Sequence, residues 1–99
     1  MTIKKKSIKK IQSPIRVGNK VMIRSVTHYY TGEIVLLLKD EIILKDAAWI
    51  ADTSLWSDAL KSGTLNEVEP YPDGVFVAVG RGAVVDVSDW NHDLPRVQK

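Results

Sequence analysis

The sequence predicts a small, mainly β protein: a strongly bent barrel of five strands, with an N-terminal helix and a helical insertion between strands three and four. Five short segments rich in valine and isoleucine alternate with polar or glycine-containing turns, which is the pattern of short strands. The 99 residues suffice for one domain. An apolar fraction of 44% and a charged fraction of 26% exclude a wholly disordered or collagen-like chain.

The chain starts with a basic arm, residues 1–14. Residues 1–24 carry eight basic side chains and no acidic one, whereas residues 25–99 carry six basic and all twelve acidic ones. Ile8, Ile11 and Ile15 have the spacing of one helical face, so we expect a short helix that is ended by a proline at position 14. The sequence leaves three roles of the arm open: contact with phosphate, contact with the acidic body of a neighbouring copy, or a merely solvated tail.

Three consecutive strands are expected next, and together they form a meander. Residues 21–27 are rich in β-branched side chains, and residues 33–38 are apolar enough to be buried on both faces. Residues 42–47 follow a tight polar turn and form the third strand. The barrel is expected to span residues 15–88.

Residues 48–74 break this rhythm and are predicted to be an insertion. Four apolar side chains recur there at helical spacing: Leu55, Trp56, Ala59 and Leu60. A helix is therefore predicted over residues 53–62, capped by Asp52 or Thr53, stopped by Gly63, and buried through Trp56 and Leu60. Residues 66–73 hold two prolines and are expected to form an irregular loop.

Two further apolar strands, residues 75–79 and 83–87, flank a glycine-rich turn, and residues 89–99 follow as a tail or a strap. A small barrel leaves strand edges with unpaired amides, and these two strands are apolar enough to meet another copy, so a homo-oligomer is predicted. The candidate interface residues are the valines of the two strands: Val75, Val77, Val79, Val85 and Val87.

Two stretches carry a resemblance to a known family. The first comprises Gly32-Glu33-Ile34-Val35, a turn with Asp40-Glu41, and Leu44-Lys45-Asp46-Ala47, and the second runs from residues 75–79 into Arg81-Gly82-Ala83-Val84-Val85. In these motifs the chain resembles the Sm-like proteins, which include the LSm proteins and bacterial Hfq, over residues 15–47 and 75–88. Residues 47–52 and 63–70 are also similar to small proteins of tailed bacteriophages. This second resemblance implies no particular activity.

The Sm-like resemblance implies a non-catalytic, ring-forming adaptor that binds RNA or another nucleic acid. In that family bases stack in the ring lumen between the turn after the second strand and the Arg-Gly turn, which implies a contact at Arg81 and Gly82. A guanidinium can stack on a base or fork onto phosphate. The turn after the second strand is one residue shorter here and lacks the family's asparagine, and Glu41 stands near that place.

Two further sets of residues are candidates for nucleic-acid binding. Phosphate contacts are expected from the lysines of the arm: Lys4, Lys5, Lys6, Lys9 and Lys10. His28, Tyr29 and Tyr30 form a possible stacking surface, although a tyrosine at a strand end can instead turn into the core.

A second function class remains open beside nucleic-acid binding. The chain can be a structural or assembly protein, of a phage particle or another large complex, that uses its barrel edges for protein contacts. A monomeric accessory module is a third interpretation. Large apolar side chains outside the predicted strands fit an interface, although the insertion can also fold over the chain's own barrel and bury them: Trp49, Leu55, Trp56 and Trp90.

The composition argues against catalysis, cofactors and metals. Without cysteine there is no thiol nucleophile or thiolate zinc site, and the two histidines lack metal-ligand spacing. The carboxylate pairs Asp40 with Glu41 and Asp89 with Asp93 lie in predicted turns or the tail, where such charges are usually solvated.

No apolar run approaches the ~20 residues that span a bilayer, and no signal peptide is recognisable, so we expect a cytoplasmic protein, or one of the virion if phage-encoded.

Overall fold

The computed structural model describes residues 11–99, and its regular elements are six strands and one helix. They are β1 (Lys20–Ser25), β2 (Tyr29–Leu37), β3 (Glu41–Asp52), α1 (Trp56–Ser62), β4 (Glu67–Pro70), β5 (Val77–Gly80) and β6 (Val84–Asp89), with one turn of 3-10 helix (Arg81–Ala83) between β5 and β6. The five arm lysines and the first part of the predicted N-terminal helix, residues 1–10, lie outside the described residues, and the last part of the arm, residues 11–14, forms no regular element.

All strand pairs are antiparallel, in the order β4-β3-β2-β1-β6, and β5 pairs with the first part of β3. The sheet is open, because β5 and β6 follow each other along the chain without pairing. The predicted fold class, mainly β with a helix between the third strand and the following one, is confirmed in this coarse form. The strand number is six instead of five, and the closed barrel is not confirmed.

A bulge in β3 allows side chains of this one strand to be buried on both faces of the sheet. Asp46 has a φ of 49°, and the register places Asp46 and Ala47 opposite Gly32 alone. A Cβ at Gly32 would lie 3.1 Å from the Cβ of Leu44, so glycine permits the close approach of the two strands.

Two hydrophobic cores lie on opposite faces of the sheet. The first core contains Val21, Ile23, Ile34, Ile42, Leu44, Ala47 and Val79. The second core contains Met22, Ala48, Ile50, Ala59, Leu65, Val68 and Trp90. Along β1, the consecutive residues Val21, Met22 and Ile23 are all buried because their side chains alternate between the two cores.

The predicted insertion contains more strand than the sequence indicated. The third strand does not end at residue 47 but continues to Asp52, and the expected loop at residues 66–73 contains β4. Proline does not prevent this pairing, because Pro70 ends a strand at the edge of the sheet, where a missing N–H is tolerated.

Helix α1 is shorter than predicted and starts without the predicted cap. Ser54 has a φ of 57°, and its N–H donates to Asp52 Oδ1, so the carboxylate closes a turn before the helix. The hydrogen bond from Asn66, followed by that from Ser54, holds the pKa of Asp52 below its usual range. The helix ends as predicted at Gly63, whose φ is 75°. Its buried residue is Ala59, and the side chains predicted to be buried, Trp56 and Leu60, are partly buried against the second core.

The C-terminal residues 90–99, which we call the strap, cross the second core and cover the free edge of β4. The indole N–H of the buried Trp90 donates to the carbonyl of Asp93. The backbone N–H of Lys99 donates to the carbonyl of Val68, 3.0 Å away, and the N–H of Val68 donates back. Arg96 donates to the carbonyls of Ala47 and Tyr71 and to the Asp73 carboxylate. The chain itself therefore buries Trp90.

Candidate nucleic-acid interface

Three loops that contain predicted site residues adjoin each other at the 3-10 turn. The backbone N–H of Arg81 donates to the carbonyl of Asp40 in the β2–β3 turn, 2.9 Å away. The N–H of Val26, in the β1–β2 loop, donates to the carbonyl of Ala83, also 2.9 Å away. The Arg-Gly turn, the turn after β2 and the loop that leads to His28 therefore adjoin each other.

Arg81 differs from the other three arginines of the chain in making no side-chain ion pair within residues 11–99. Arg16 pairs with Asp89, Arg24 with Asp86, and Arg96 with Asp73. The Arg81 side chain is only partly exposed, and its Nε is buried without a hydrogen-bond partner among residues 11–99. An unsatisfied buried donor costs about 1–3 kcal/mol, so a movement of the Arg81 side chain that gives this group an acceptor would be favourable.

The neighbouring glycine leaves this turn open on its outer side. A Cβ at Gly82 would meet no atom within 4 Å, and Gly82 is exposed. The charge around the turn is mixed, because Asp40 and Glu41 are exposed beside it. Residues 11–99 as a whole carry nine basic and twelve acidic side chains.

The predicted aromatic surface is divided between the two faces of the sheet. The His28 ring makes edge contacts with the rings of Tyr30 and Trp49, with centroids 5.1 and 5.9 Å apart. Tyr29 instead contacts Trp56, with centroids 5.5 Å apart, and packs against the second core. Tyr30 packs against the first core, and this burial, with a smaller contribution from the nearby Tyr71, raises its pKa.

Sequence reasoning assigned Trp49 to the insertion, so it missed a groove that this side chain lines. The groove, about 380 Å³ in volume, is lined by His28, Trp49, Glu69, Pro70, Tyr71 and Pro72. Trp49 and Glu69 are paired across β3 and β4. Tyr30 and Trp49 lie opposite each other in β2 and β3. Their pairing would have indicated this surface if the predicted third strand had extended past residue 47.

The candidate interface valines separate into inward-facing and outward-facing residues. Val79 is buried in the first core, and Val77 and Val87 pack against it. Val75 and Val85 are exposed, at 39% and 61% of their surface, and Phe76 beside them is 65% exposed.

Arg24 is a structural residue in this arrangement. Its guanidinium donates to both oxygens of Asp86 across β1 and β6 and lies 4.8 Å from the ring centroid of Trp56. The hydrogen bond from Arg24 holds the pKa of Asp86 below its usual range, and Asp86 in turn raises the pKa of Arg24. This pair ties β6 to β1.

Within residues 11–99, no three histidine or carboxylate side chains converge as metal ligands would. The same part of the chain contains no helix with the length and apolar character needed to cross a membrane. A comparison of the chain with protein families, curated proteins and solved structures found no match in any of the three.

Proposed function

We propose that this chain is a non-catalytic, ring-forming adaptor of the Sm-like type that binds RNA or another nucleic acid through the Arg81 turn and the basic arm. The observation that carries the proposal is the guanidinium of Arg81, whose Nε has no partner among residues 11–99 and which is held in a turn that is hydrogen-bonded to both neighbouring loops. A planar cation with free donors suits a phosphate or the face of a base. The five arm lysines add charge that a polyanion attracts.

The sheet topology supports the barrel and ring parts of the proposal. Strand β5 pairs with β3 and β6 pairs with β1, and only one 3-10 turn joins them, so the sheet curves towards closure. Among the described residues, β5 and β6 each have one unpaired edge. Such edges pair readily with a strand of another chain.

A structural or assembly protein is the second candidate. Exposed apolar side chains beside the two open edges favour it: Val75, Phe76 and Val85. The acidic surplus of residues 11–99 also suits protein contacts better than contact with a polyanion.

A titration of fluorescently labelled single-stranded RNA at low and at physiological salt tests the proposal. Arg81→Ala should weaken binding by about 1–3 kcal/mol, the value of one stacking interaction. Replacing the five arm lysines by alanine should flatten the salt dependence by about 0.7 for each phosphate that is no longer neutralised. Lys61→Ala, an exposed lysine on α1, is the matched control and should leave the affinity unchanged.

The outcomes separate the two candidates. Absence of binding by the unaltered chain at low salt would discard the nucleic-acid proposal and leave the structural one. Binding that neither Arg81→Ala nor the lysine replacements weaken would contradict the assignment of the site, and the aromatic surface at His28 and Tyr30 would be tested next.

A further inference from the structure

We propose that a surface groove along the end of β3 and the segment that follows β4 binds an extended, proline-rich segment of a partner protein that carries arginine or lysine. Arg81 does not line this groove, so the inference goes beyond the proposed nucleic-acid site and does not depend on it. Three features of the groove support it, which are its length, its lining and its charge.

Three depressions of the surface join into one groove. The groove beside Trp49 shares His28 and Trp49 with a smaller depression, of about 190 Å³, at the β1–β2 loop. On its other side it shares residues 69–72 with a depression that extends to Asp73 and Arg96. Because neighbouring depressions have these walls in common, a bound chain can pass from one to the next.

The register gives this groove the length of a short extended peptide. Glu69 lies opposite Trp49, and the N–H of Tyr71 donates to a carbonyl of β3, so the chain after β4 continues the antiparallel pairing. The line from Ala51 past Trp49 and Glu69 to Asp73 therefore runs in one direction along the strands. It is about 15–20 Å long. A polyproline II helix of five or six residues, at about 3.1 Å per residue, has this length.

The lining of the groove suits proline side chains. Trp49 is 36% exposed, and the rings of His28 and Tyr71 line the groove with it. The rings of prolines in a polyproline II helix pack against aromatic side chains in such grooves. The helix has no internal hydrogen bonds to break and little conformational entropy to lose when it binds.

The neighbouring edge of the sheet is occupied, which disfavours recognition by an added β-strand. Strand β4 lies at this edge, and its residue Val68 exchanges two backbone hydrogen bonds with Lys99 of the strap. Pro70, the last residue of β4, has no N–H to donate. Packing of side chains in the groove therefore fits this region better than strand pairing does.

The charge of the groove favours a basic peptide over a nucleic acid. Arg96 lines the part of the groove next to Glu69 and Asp73, but its guanidinium donates to the Asp73 carboxylate and to two backbone carbonyls. Glu69 is exposed and makes no ion pair within residues 11–99. A carboxylate opposite an indole ring attracts a guanidinium or ammonium group and repels phosphate.

A titration of the isotope-labelled, full-length chain with a synthetic peptide tests the inference. The probe has blocked ends and about ten residues, two of them arginine and the rest proline. It should shift the indole N–H signal of Trp49 but not that of Trp90, which is buried in the second core. A peptide in which alanine replaces every proline should bind about tenfold more weakly, because it is not preorganised.

Two substitutions with matched controls locate the bound peptide. Trp49→Ala should weaken binding by about tenfold or more, as the loss of a tryptophan at the centre of an interface does. Phe76→Ala, at an exposed position outside the groove, should not. Glu69→Gln should weaken binding by about twofold to fivefold, and Glu67→Gln, on the same strand but outside the groove, should change it little. An unchanged Trp90 signal shows that each variant is folded.

Three results of these titrations would overturn the inference. They are a Trp49 signal that the proline peptide does not shift, equal affinity for the alanine peptide, and an affinity that Trp49→Ala leaves unchanged. A single-stranded RNA should leave the Trp49 signal in place. If RNA shifts that signal and the proline peptide does not, the groove belongs to a nucleic-acid site instead. The peptide results leave the role of Arg81 to the RNA titration of Arg81→Ala.

Discussion

The two faces of the sheet differ in how far the rest of the chain covers them, although each holds one buried polar atom without a partner among residues 11–99: Thr31 Oγ1 on the side of the second core and Arg81 Nε on the side of the first. Around the second core, the strap supplies partners: the Trp90 indole donates to the Asp93 carbonyl, and His92 Nε2 lies 2.7 Å from the Leu60 carbonyl oxygen. At the rim of the first core, by contrast, the turn that holds Arg81 is open on its outer side, and the groove lined by Trp49 and Glu69 is open to solvent.

This difference separates the residues that stabilise the fold from those that are available to bind other molecules. The strap side is completed by residues of the chain itself, so its side chains contribute chiefly to the free energy of unfolding. Within residues 11–99, the rim of the first core holds a cation and a carboxylate without an ion-pair partner, an accessible tryptophan and open strand edges. Those features suit contacts with other molecules, which is why the proposed functions concentrate there.

The largest expected effect is on the strap side. Trp90→Ala removes a side chain that is 1% exposed, and we expect the free energy of unfolding to fall by about 3–5 kcal/mol. Urea denaturation measures this loss. Val97→Ala in the same strap, where the side chain is 76% exposed, should change the value by less than about 0.5 kcal/mol. Similar losses for both variants would show that the strap does not complete the second core.

A smaller effect is expected at the ion pair between Arg24 and Asp86. Because the hydrogen bond from Arg24 lowers the pKa of Asp86 in the folded state, the pair stabilises the fold above the unfolded pKa of about 3.9. That contribution is lost as the pH falls through the lowered pKa. The stability of Asp86→Asn should therefore be lower than that of the unaltered chain at neutral pH and converge with it in acid. Parallel pH curves in thermal melts would contradict this role.

Much of the fold could be predicted because local patterns and tertiary structure agree. The β-branched segments of the meander and the glycine at the end of α1 both follow from short-range physical chemistry. The extension of β3 to Asp52 could not be predicted in the same way, because the bulge at Asp46 reverses the alternation of buried side chains. Strand β4 was not predicted because its segment contains Pro70, and a strand tolerates proline there only because it lies at the edge of the sheet.

The candidate site could be predicted only in part. The proximity of the Arg-Gly turn to the turn after β2 was expected from the family resemblance, and the backbone hydrogen bond from Arg81 to Asp40 brings the two turns together. The separation of Tyr29 from Tyr30 follows from strand alternation, once β2 is known to begin at Tyr29. The pairing of Trp49 with Glu69 depends on the register between β3 and β4, which no local pattern specifies.

The central claim, that the rim of the first core is a contact surface, is tested most directly by the mass of the protein in solution. Light scattering at micromolar concentration should give a multiple of the monomer mass of 11.1 kDa. Val85→Lys, which places a charge on an exposed position of the open strand β6, should reduce the mass to that of the monomer, whereas Val97→Lys in the strap should not. A monomer mass for the unaltered chain, or an oligomer that Val85→Lys leaves intact, would contradict the account.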